Sequence, residues 1–374
     1  MPTFTEFDRF AMARALEIAE KGANTTQPNP RVGCVIAKDG EIIAEGWHER
    51  AGGPHAEVMA LRSLASGAGL PAAQGSTVYV TLEPCSHHGR TPPCADALVS
   101  ARVQRVVIAI PDPNPKVAGR GVVMLTQAGI RVDMGLMEAE AEELNVGFLK
   151  RMRKGLPFVR VKVGMSLDGR TALANGKSKW ITGEAARADV QHWRARSSAV
   201  LTGIGTVLAD DPKLNVRIAG VERQPIVVVL DTNARMQPSA NVFAGGGQVL
   251  VFTRNESAPG AAALRMRGAR LETAAHADDR SPAVPLNLSA VLAKLGTLDV
   301  NELLVEAGPT LTGAFVREGL VDELLLYVAP KLLGPQSRPL FDLPLLDDLQ
   351  QATSFSIVES TQIGADLRLR LRPV

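Results

Sequence analysis

Cysteine is scarce in this chain. Cys34, Cys85 and Cys94 are the only three in 374 residues. They are too few, and odd in number, for a disulfide framework, so a reducing compartment, the cytoplasm, is expected, and the question becomes whether they bind metal. Aromatic residues make up only 4%, and 41 basic against 39 acidic side chains leave a net charge of +2. A protein that grips nucleic acid needs a basic face and stacking rings, so the composition argues against that class. Long apolar runs are missing as well. None approaches the 18 residues of a membrane span, and Glu6, Asp8 and Arg9 stand where a signal peptide would begin its apolar region, so neither secretion nor membrane insertion is expected.

What is present is a globular composition, 45% apolar and 21% charged, long enough for two domains at roughly 100 to 200 residues each. The first half alternates helix and strand. Apolar residues at helical spacing from Thr5 to Lys21 end at Gly22. Val32 to Ala37 and Glu41 to Glu45 flank Asp39-Gly40, a tight hairpin turn. Helices near Ala56 to Ala65, Cys94 to Ser100 and Gly121 to Ala128 interleave with strands at Ser76 to Leu82, Arg105 to Ile110 and Arg131 to Met134. One charged helical stretch, Glu138 to Arg153, leads into Lys154-Gly155-Leu156-Pro157, which places a boundary near 154 between domains 1–154 and 155–374. The second half repeats the alternation. Strands are expected at Phe158 to Gly164, Pro225 to Leu230, Gln248 to Phe252, Glu302 to Glu306, Glu323 to Val328 and Ala365 to Leu371, with helices at Glu184 to Arg196 and Thr310 to Glu318. Ala258 to Leu286 is the least readable part. Both halves are therefore α/β.

His55-Ala56-Glu57 opens a helix, Pro84-Cys85 follows 30 residues after the histidine, and Cys94 heads another helix after eight intervening residues. One imidazole and two thiolates suit Zn²⁺ in a tetrahedron, with the fourth position open for water. Glu57, two residues past the histidine, is placed to act as the general base. Taken singly, His55 could be a capping residue and the cysteines small buried hydrophobes. Together, His-x-Glu, then Pro-Cys, then a second Cys form the zinc-deaminase signature, apart from a longer spacer between the cysteines. Cys34 lies in an apolar strand without ligand spacing and reads as core. His87 and His88, inside the loop, read as substrate-contacting or structural.

With Pro28-Asn29-Pro30-Arg31-Val32-Gly33 upstream, the loop Pro84-Cys85-Ser86-His87-His88-Gly89-Arg90-Thr91-Pro92-Pro93-Cys94 resembles the deaminase half of the bifunctional RibD family of riboflavin biosynthesis. The resemblance implies a cytidine deaminase-like α/β/α sandwich and a diaminopyrimidinone substrate carrying a ribosylamino 5′-phosphate. It makes Asn29, His87 and Arg90 polar pocket residues, with Arg90 either pairing with phosphate or closing a loop salt bridge.

In the second half, Gly203-Ile204-Gly205-Thr206-Val207-Leu208 is not a dinucleotide fingerprint, because Leu208 stands where the third glycine belongs. Glu306-Ala307-Gly308-Pro309-Thr310 leaves an apolar strand for a helix whose free backbone N–H groups can cradle a pyrophosphate, or it is plain punctuation between the two. With Lys162, Ser166-Leu167-Asp168-Gly169-Arg170 and Trp180-Ile181-Thr182-Gly183, these segments resemble the reductase half of the same family, which implies a dihydrofolate reductase-like α/β domain using NADPH. Carried over by position, Gly164, Trp180, Thr206, Asp210 and the turn Gly308, Pro309, Thr310, Leu311, Thr312, Gly313 and Ala314 would contact the cofactor. Ser178, Arg194, Leu214, Arg217 and Glu306 would contact the substrate. The family's turn usually reads Glu-Gly-Gly-Pro, so Ala307 is a departure. Lys162 and Asp210 are candidates for polarising the ribose, with a plain ion pair as the alternative, and Arg254 could read the 2′-phosphate of NADPH. The partner is then a small phosphorylated pyrimidine, the cofactors are one zinc and NADPH, and a homo-oligomer is expected.

Overall fold

Asp39 and Gly40 take φ values of 53° and 81°, and this left-handed pair turns β1 (Gly33–Lys38) straight back into antiparallel β2 (Glu41–Trp47). The hairpin lies in the first of two compact units, Met1–Gly155 and Leu156–Val374, into which the chain divides. The structure is a computed structural model. It describes residues 3–67, 69–86, 93–114, 117–254, 256–274 and 286–374.

In the first unit the described strands run in the order β2, β1, β3 (Thr77–Leu82), β4 (Arg105–Ile110) and β5 (Arg131–Met134). The last three are parallel, which requires crossovers, supplied by α3 (Cys94–Ser100) and α4 (Arg120–Gln127). Helices α1 (Glu6–Ala19) and α2 (Ala56–Ser66) take opposite faces of the hairpin. Two glycines set these distances. A Cβ at Gly33 would lie 1.9 Å from the Ala15 carbonyl oxygen, and one at Gly46 would lie 2.2 Å from the Ala60 nitrogen. Gly46 pairs with Cys34 while Gly33 is its neighbour, so the two contacts fall on opposite sides of the pleat. The result is an α/β/α sandwich, with Cys34 fully buried in its core.

The charged stretch expected as one helix is two, α5 (Glu138–Leu144) and α6 (Val146–Lys154). Asn145 separates them because its side chain is engaged elsewhere. Its Oδ1 accepts the Arg31 backbone N–H at 2.9 Å and its Nδ2 donates to the Arg31 carbonyl at 2.8 Å.

The second unit opens with β6 (Phe158–Ser166) and the short β7 (Arg170–Ala172), followed by α7 (Glu184–Arg196). Then come β8 (Ala199–Gly203), α8 (Ile204–Asp210), β9 (Ile226–Leu230), β10 (Val249–Thr253), α9 (Pro259–Met266), β11 (Arg270–Thr273) and α10 (Leu288–Thr297). It ends with β12 (Glu302–Val305), α11 (Pro309–Arg317), β13 (Glu323–Ala329), β14 (Arg338–Pro339), β15 (Phe355–Ile363) and β16 (Asp366–Pro373). The main sheet orders its described strands β11, β10, β9, β8, β12, β6, β13, β16, β15, while β7 and β14 pair separately. From β11 to β13 neighbours are parallel, and β16 and β15 close the edge antiparallel. The sequence reading had no counterpart for β7, β8, β11, β14, β15, α8, α9 or α10. Alternate residues of the strands feed apolar clusters on both faces.

Arg160 is 1% exposed and lies 3.0 Å from Glu302 and 2.5 Å from Glu323, which also receives Arg370 at 2.7 Å. Burial raises the Glu323 carboxyl, yet Arg160 and Arg370 prevail and hold it at about 2. Glu359 is likewise held at about 2, burial being outweighed by Thr361, Arg368 and Arg370. A depressed carboxyl stabilises the fold fully above its unfolded value near 4.5 and loses that contribution as pH falls toward 2. The second unit is therefore expected to lose stability progressively between pH 4.5 and 2, which urea midpoints followed by near-ultraviolet circular dichroism would show. A midpoint independent of pH across that window would contradict this network.

Candidate active sites

The first site is assembled where β3 ends and α2 and α3 begin. Beyond Leu82 the chain leaves the sheet as Glu83-Pro84-Cys85. The buried Glu83 carboxylate accepts backbone N–H groups from Asp112 at 3.3 Å, Gly119 at 3.1 Å and Gly121 at 3.0 Å, which fixes the strand exit against the start of α4. Cys94 is the first residue of α3, and its N–H donates to Cys85 Sγ at 3.3 Å. His55 caps α2 and brings Nδ1 to 3.5 Å from Cys85 Sγ and 3.3 Å from Cys94 Sγ. All three ligand atoms lie within 4.8 Å of one another. Metal–sulfur bonds of ~2.3 Å and metal–nitrogen bonds of ~2.0 Å give a tetrahedron nitrogen–sulfur edges of roughly 3.5 Å, so the three groups already stand at the corners a zinc ion needs.

The thiols do not behave alike. Cys85 is pushed down by its contacts with Cys94 and His55, whereas Cys94, deeper and facing the Cys85 sulfur, is pushed up. A metal binds both sulfurs as thiolates, so its binding displaces the proton that the pair of thiols holds. Glu57, on the second residue of α2 and 3% exposed, has its carboxyl raised by burial, against the pull of His55. It faces a cleft of about 210 Å³ that is also lined by Asn29, His48, Asp112, Asn114 and Phe148. Burial lifts the Asp112 carboxyl to about 6. His48 and Asp112 escaped the sequence reading because no spacing rule marks them. His87, His88 and Arg90 lie outside the described residues.

The second site lies at the carboxyl ends of β6, β8 and β12. Glu306 follows β12, and Arg194 from α7 grips it through both nitrogens, Nε at 2.5 Å and Nη2 at 3.0 Å. Lys162 on β6 lies 3.6 Å from the same carboxylate. Burial raises Glu306, but Arg194 and Lys162 outweigh it and hold the carboxyl at about 2. The Lys162 amine is lowered by burial, with Glu306 opposing. Beside this cluster two strand-to-helix turns lie abreast. Gly203 caps α8 and Gly308 caps α11, on neighbouring parallel strands. A Cβ on Gly203 would meet Leu311 at 3.2 Å, while the space over Gly205 and Gly308 is open. Two helix starts side by side, with open space over Gly205 and Gly308, fit a pyrophosphate.

The other residues read from the sequence fall into place unevenly. Thr206 and Ser178 are half-buried, and Gly164 stands beside Thr182. Trp180 is 64% exposed, with the Arg187 guanidinium 4.4 Å above its ring. Asp210 is exposed and lies 3.7 Å from Lys179. In the turn, Pro309, Leu311 and Ala314 are half-buried and Thr310 is exposed. Thr312 is buried with its hydroxyl donating to the Gly308 carbonyl at 3.2 Å, and Gly313 packs on the Asp342 backbone. Leu214 is buried in the core with φ of 52°, so only its backbone could meet a ligand. Arg217 is exposed, with Nη1 donating to Asn215 Oδ1 at 3.0 Å. The Ala307 methyl packs against the core. Arg254 follows β10, its N–H donating to the Thr232 carbonyl at 3.1 Å.

A His/Cys/Cys cluster with a buried glutamate in an α/β/α sandwich, joined to a parallel-sheet unit with an ion cluster and two glycine-capped helix starts at its strand ends, fits a hydrolytic deaminase fused to a nucleotide-dependent reductase. Comparison with known proteins gives the class its family. Residues 5–110 match the cytidine and deoxycytidylate deaminase zinc-binding region, and residues 157–369 match the RibD C-terminal domain. The riboflavin biosynthesis protein RibD of Escherichia coli is 49% identical, the match covering 97% of this chain and 99% of that protein. The Haemophilus influenzae RibD is 45% identical over 100% and 99%. Among solved structures, Acinetobacter baumannii RibD superposes with a TM-score of 0.89 at 47% identity, covering 99% of both chains. A Thermotoga maritima deaminase/reductase gives 0.86 at 34%, covering 98% of this chain and 99% of that one. The chain belongs to the RibD family, the bifunctional deaminase/reductases of riboflavin biosynthesis. Among the described residues, no helix is long and apolar enough to cross a membrane.

Proposed function

We propose that residues 1–154 deaminate 2,5-diamino-6-ribosylamino-4(3H)-pyrimidinone 5′-phosphate and that residues 155–374 reduce the deaminated product with NADPH. The observation that carries the first step is the convergence of His55, Cys85 and Cys94 to tetrahedral distances beside the buried Glu57. A zinc ion held by those three supplies Lewis-acid activation of water. Glu57 takes a proton from the attacking water and passes it to the ring nitrogen, then moves the second proton from the new hydroxyl to the leaving amino nitrogen, so that ammonia departs and an oxo group replaces it. The rest of the cleft orients the ring and keeps the reaction away from bulk water.

For the second step, the turns at Gly203 and Gly308 hold the pyrophosphate of NADPH, which supplies the hydride. Lys162, half-buried and paired with Glu306, is better placed than the exposed Asp210 to polarise the opened ribose at C1′. The Arg194 and Glu306 pair fixes the substrate side of the cleft, and Arg217, the exposed cation beside it, is available to the 5′-phosphate. Arg217→Ala is accordingly expected to raise the reductase KM at least tenfold while leaving the deaminase KM alone, as about one charge-assisted hydrogen bond requires. Equal reductase KM values would remove Arg217 from the site.

The direct test is incubation of the purified protein with the diaminopyrimidinone, with and without NADPH, followed by mass spectrometry. Products should stop at the uracil without NADPH and proceed to the ribitylamino compound with it. Stripping the metal with a chelator should abolish the first step, leave reduction of added uracil intermediate intact, and be reversed by zinc. Loss of both steps on chelation would oppose the separate sites.

A further inference from the structure

One buried imidazole that lines the first unit's cleft has been given no role of its own above. His48 follows β2, is 3% exposed, and stands edge-on to His55 with ring centroids 5.4 Å apart. Its Nδ1 is 2.9 Å from the carbonyl oxygen of Pro54, the residue before His55, and its Nε2 is 3.1 Å from Asn29 Nδ2. A carbonyl oxygen only accepts, so Nδ1 carries the ring hydrogen. An uncharged imidazole then offers Nε2 as an acceptor, and the group facing it must donate. The Asn29 amide nitrogen does so. If the amide were flipped, an oxygen would face the Nε2 lone pair, so the ring fixes which way the amide lies. Asn29 lines the cleft, and its Oδ1 has no protein donor among the described residues.

We propose that His48 is a positioning residue that locks the Asn29 amide with Oδ1 available to the cleft, so that the deaminase site selects heterocycles presenting an N–H donor at that wall. Through Pro54 the same ring ties this wall to the chain entering His55, so the substrate-orienting group and the metal centre are set by one side chain. The inference rests on the deaminase reading and sharpens it. An aminopyrimidinone, which carries ring and exocyclic N–H groups, is the kind of ring such a wall accepts. A ring showing only acceptors there leaves Oδ1 facing a lone pair, which disfavours binding.

The tautomer is testable in the unaltered protein. Long-range ¹H–¹⁵N correlation spectra of histidine-labelled protein should show His48 as the Nδ1–H form, and an Nε2–H form would overturn the proposal. In parallel, His48→Phe keeps a ring beside His55 but removes both hydrogen bonds, and Asn29→Leu keeps the size but removes the amide that faces the ring. Each is expected to lower deaminase kcat/KM about tenfold, mainly through KM, with zinc at one per chain and reductase activity unchanged. Because both changes break one contact, the double variant should lose little more than either single one. Strictly additive losses, an unaltered KM in His48→Phe, or loss of zinc from it would each overturn the role assigned to His48. Absence of deamination in the unaltered protein would instead overturn the deaminase reading, whatever the tautomer.

Discussion

Glu57→Ala is expected to lose deamination by about 10²- to 10⁴-fold, while the protein still binds one zinc and still reduces the deaminated intermediate. The argument is local. Glu57 lies outside the three-ligand cluster, so its removal leaves the metal's nitrogen and two sulfurs in place. Its carboxyl is raised by burial, so the alanine variant sheds a desolvated acid and should not unfold. What it loses is the group able to take a proton from water and return it to the leaving nitrogen. Glu57→Gln, which keeps the shape but cannot carry the proton, should be as inactive. Zinc analysis with separate assays of the two half-reactions checks all of this, and simultaneous loss of both reactions would count against a site confined to the first unit.

The second large effect is expected at Glu306. Glu306→Ala leaves Arg194, whose side chain is 11% exposed, and Lys162 as neighbouring cations without their shared carboxylate. Stranding a buried charge costs about 3–5 kcal/mol, so the urea midpoint of the second unit should fall sharply and NADPH-dependent reduction should be lost. Deamination should persist wherever the first unit remains folded. Glu306→Asp keeps the charge but shortens the reach to Arg194 and should recover most of the stability. If the alanine variant kept the parent midpoint, the pair would be solvated in solution and could not serve as a rigid wall.

The parts of this protein that are legible in its sequence are those where local chemistry dictates spacing. Metal coordination demands particular side chains near helix starts, so His55, Cys85, Cys94 and Glu57 can be picked out before any fold is known, and the structure brings them together. The Asp39-Gly40 turn is legible because left-handed φ values favour few residues. Helix α7, Glu184–Arg196, carries Glu184 in its first turn and Arg194 and Arg196 in its last, the charge order that the helix dipole favours. The break at Asn145 is illegible because its cause is the Arg31 backbone, 114 residues away in the chain. Strand β8 is a five-residue run too short to separate from a buried helix by period alone. Strand β15 lacks a clean alternation because most of it is exposed. His48 belongs to the same group. Its importance lies in two hydrogen bonds that only the folded chain creates.

The close seat of α2 on the hairpin sets a limit on how this protein can be re-engineered. At Gly46 even one methyl group would drive into the Ala60 nitrogen at 2.2 Å and the Ala56 carbonyl oxygen at 2.6 Å, and Ala56 separates the proposed ligand His55 from the proposed base Glu57. A library seeking new pyrimidine substrates would treat position 46 as remote, since it does not line the cleft. Any side chain there must lift the start of α2 and carry metal ligand and base away together. Position 46 is therefore closed to variation for a mechanical reason, and the freedom to retune this deaminase lies in the walls of the cleft instead of beneath its floor.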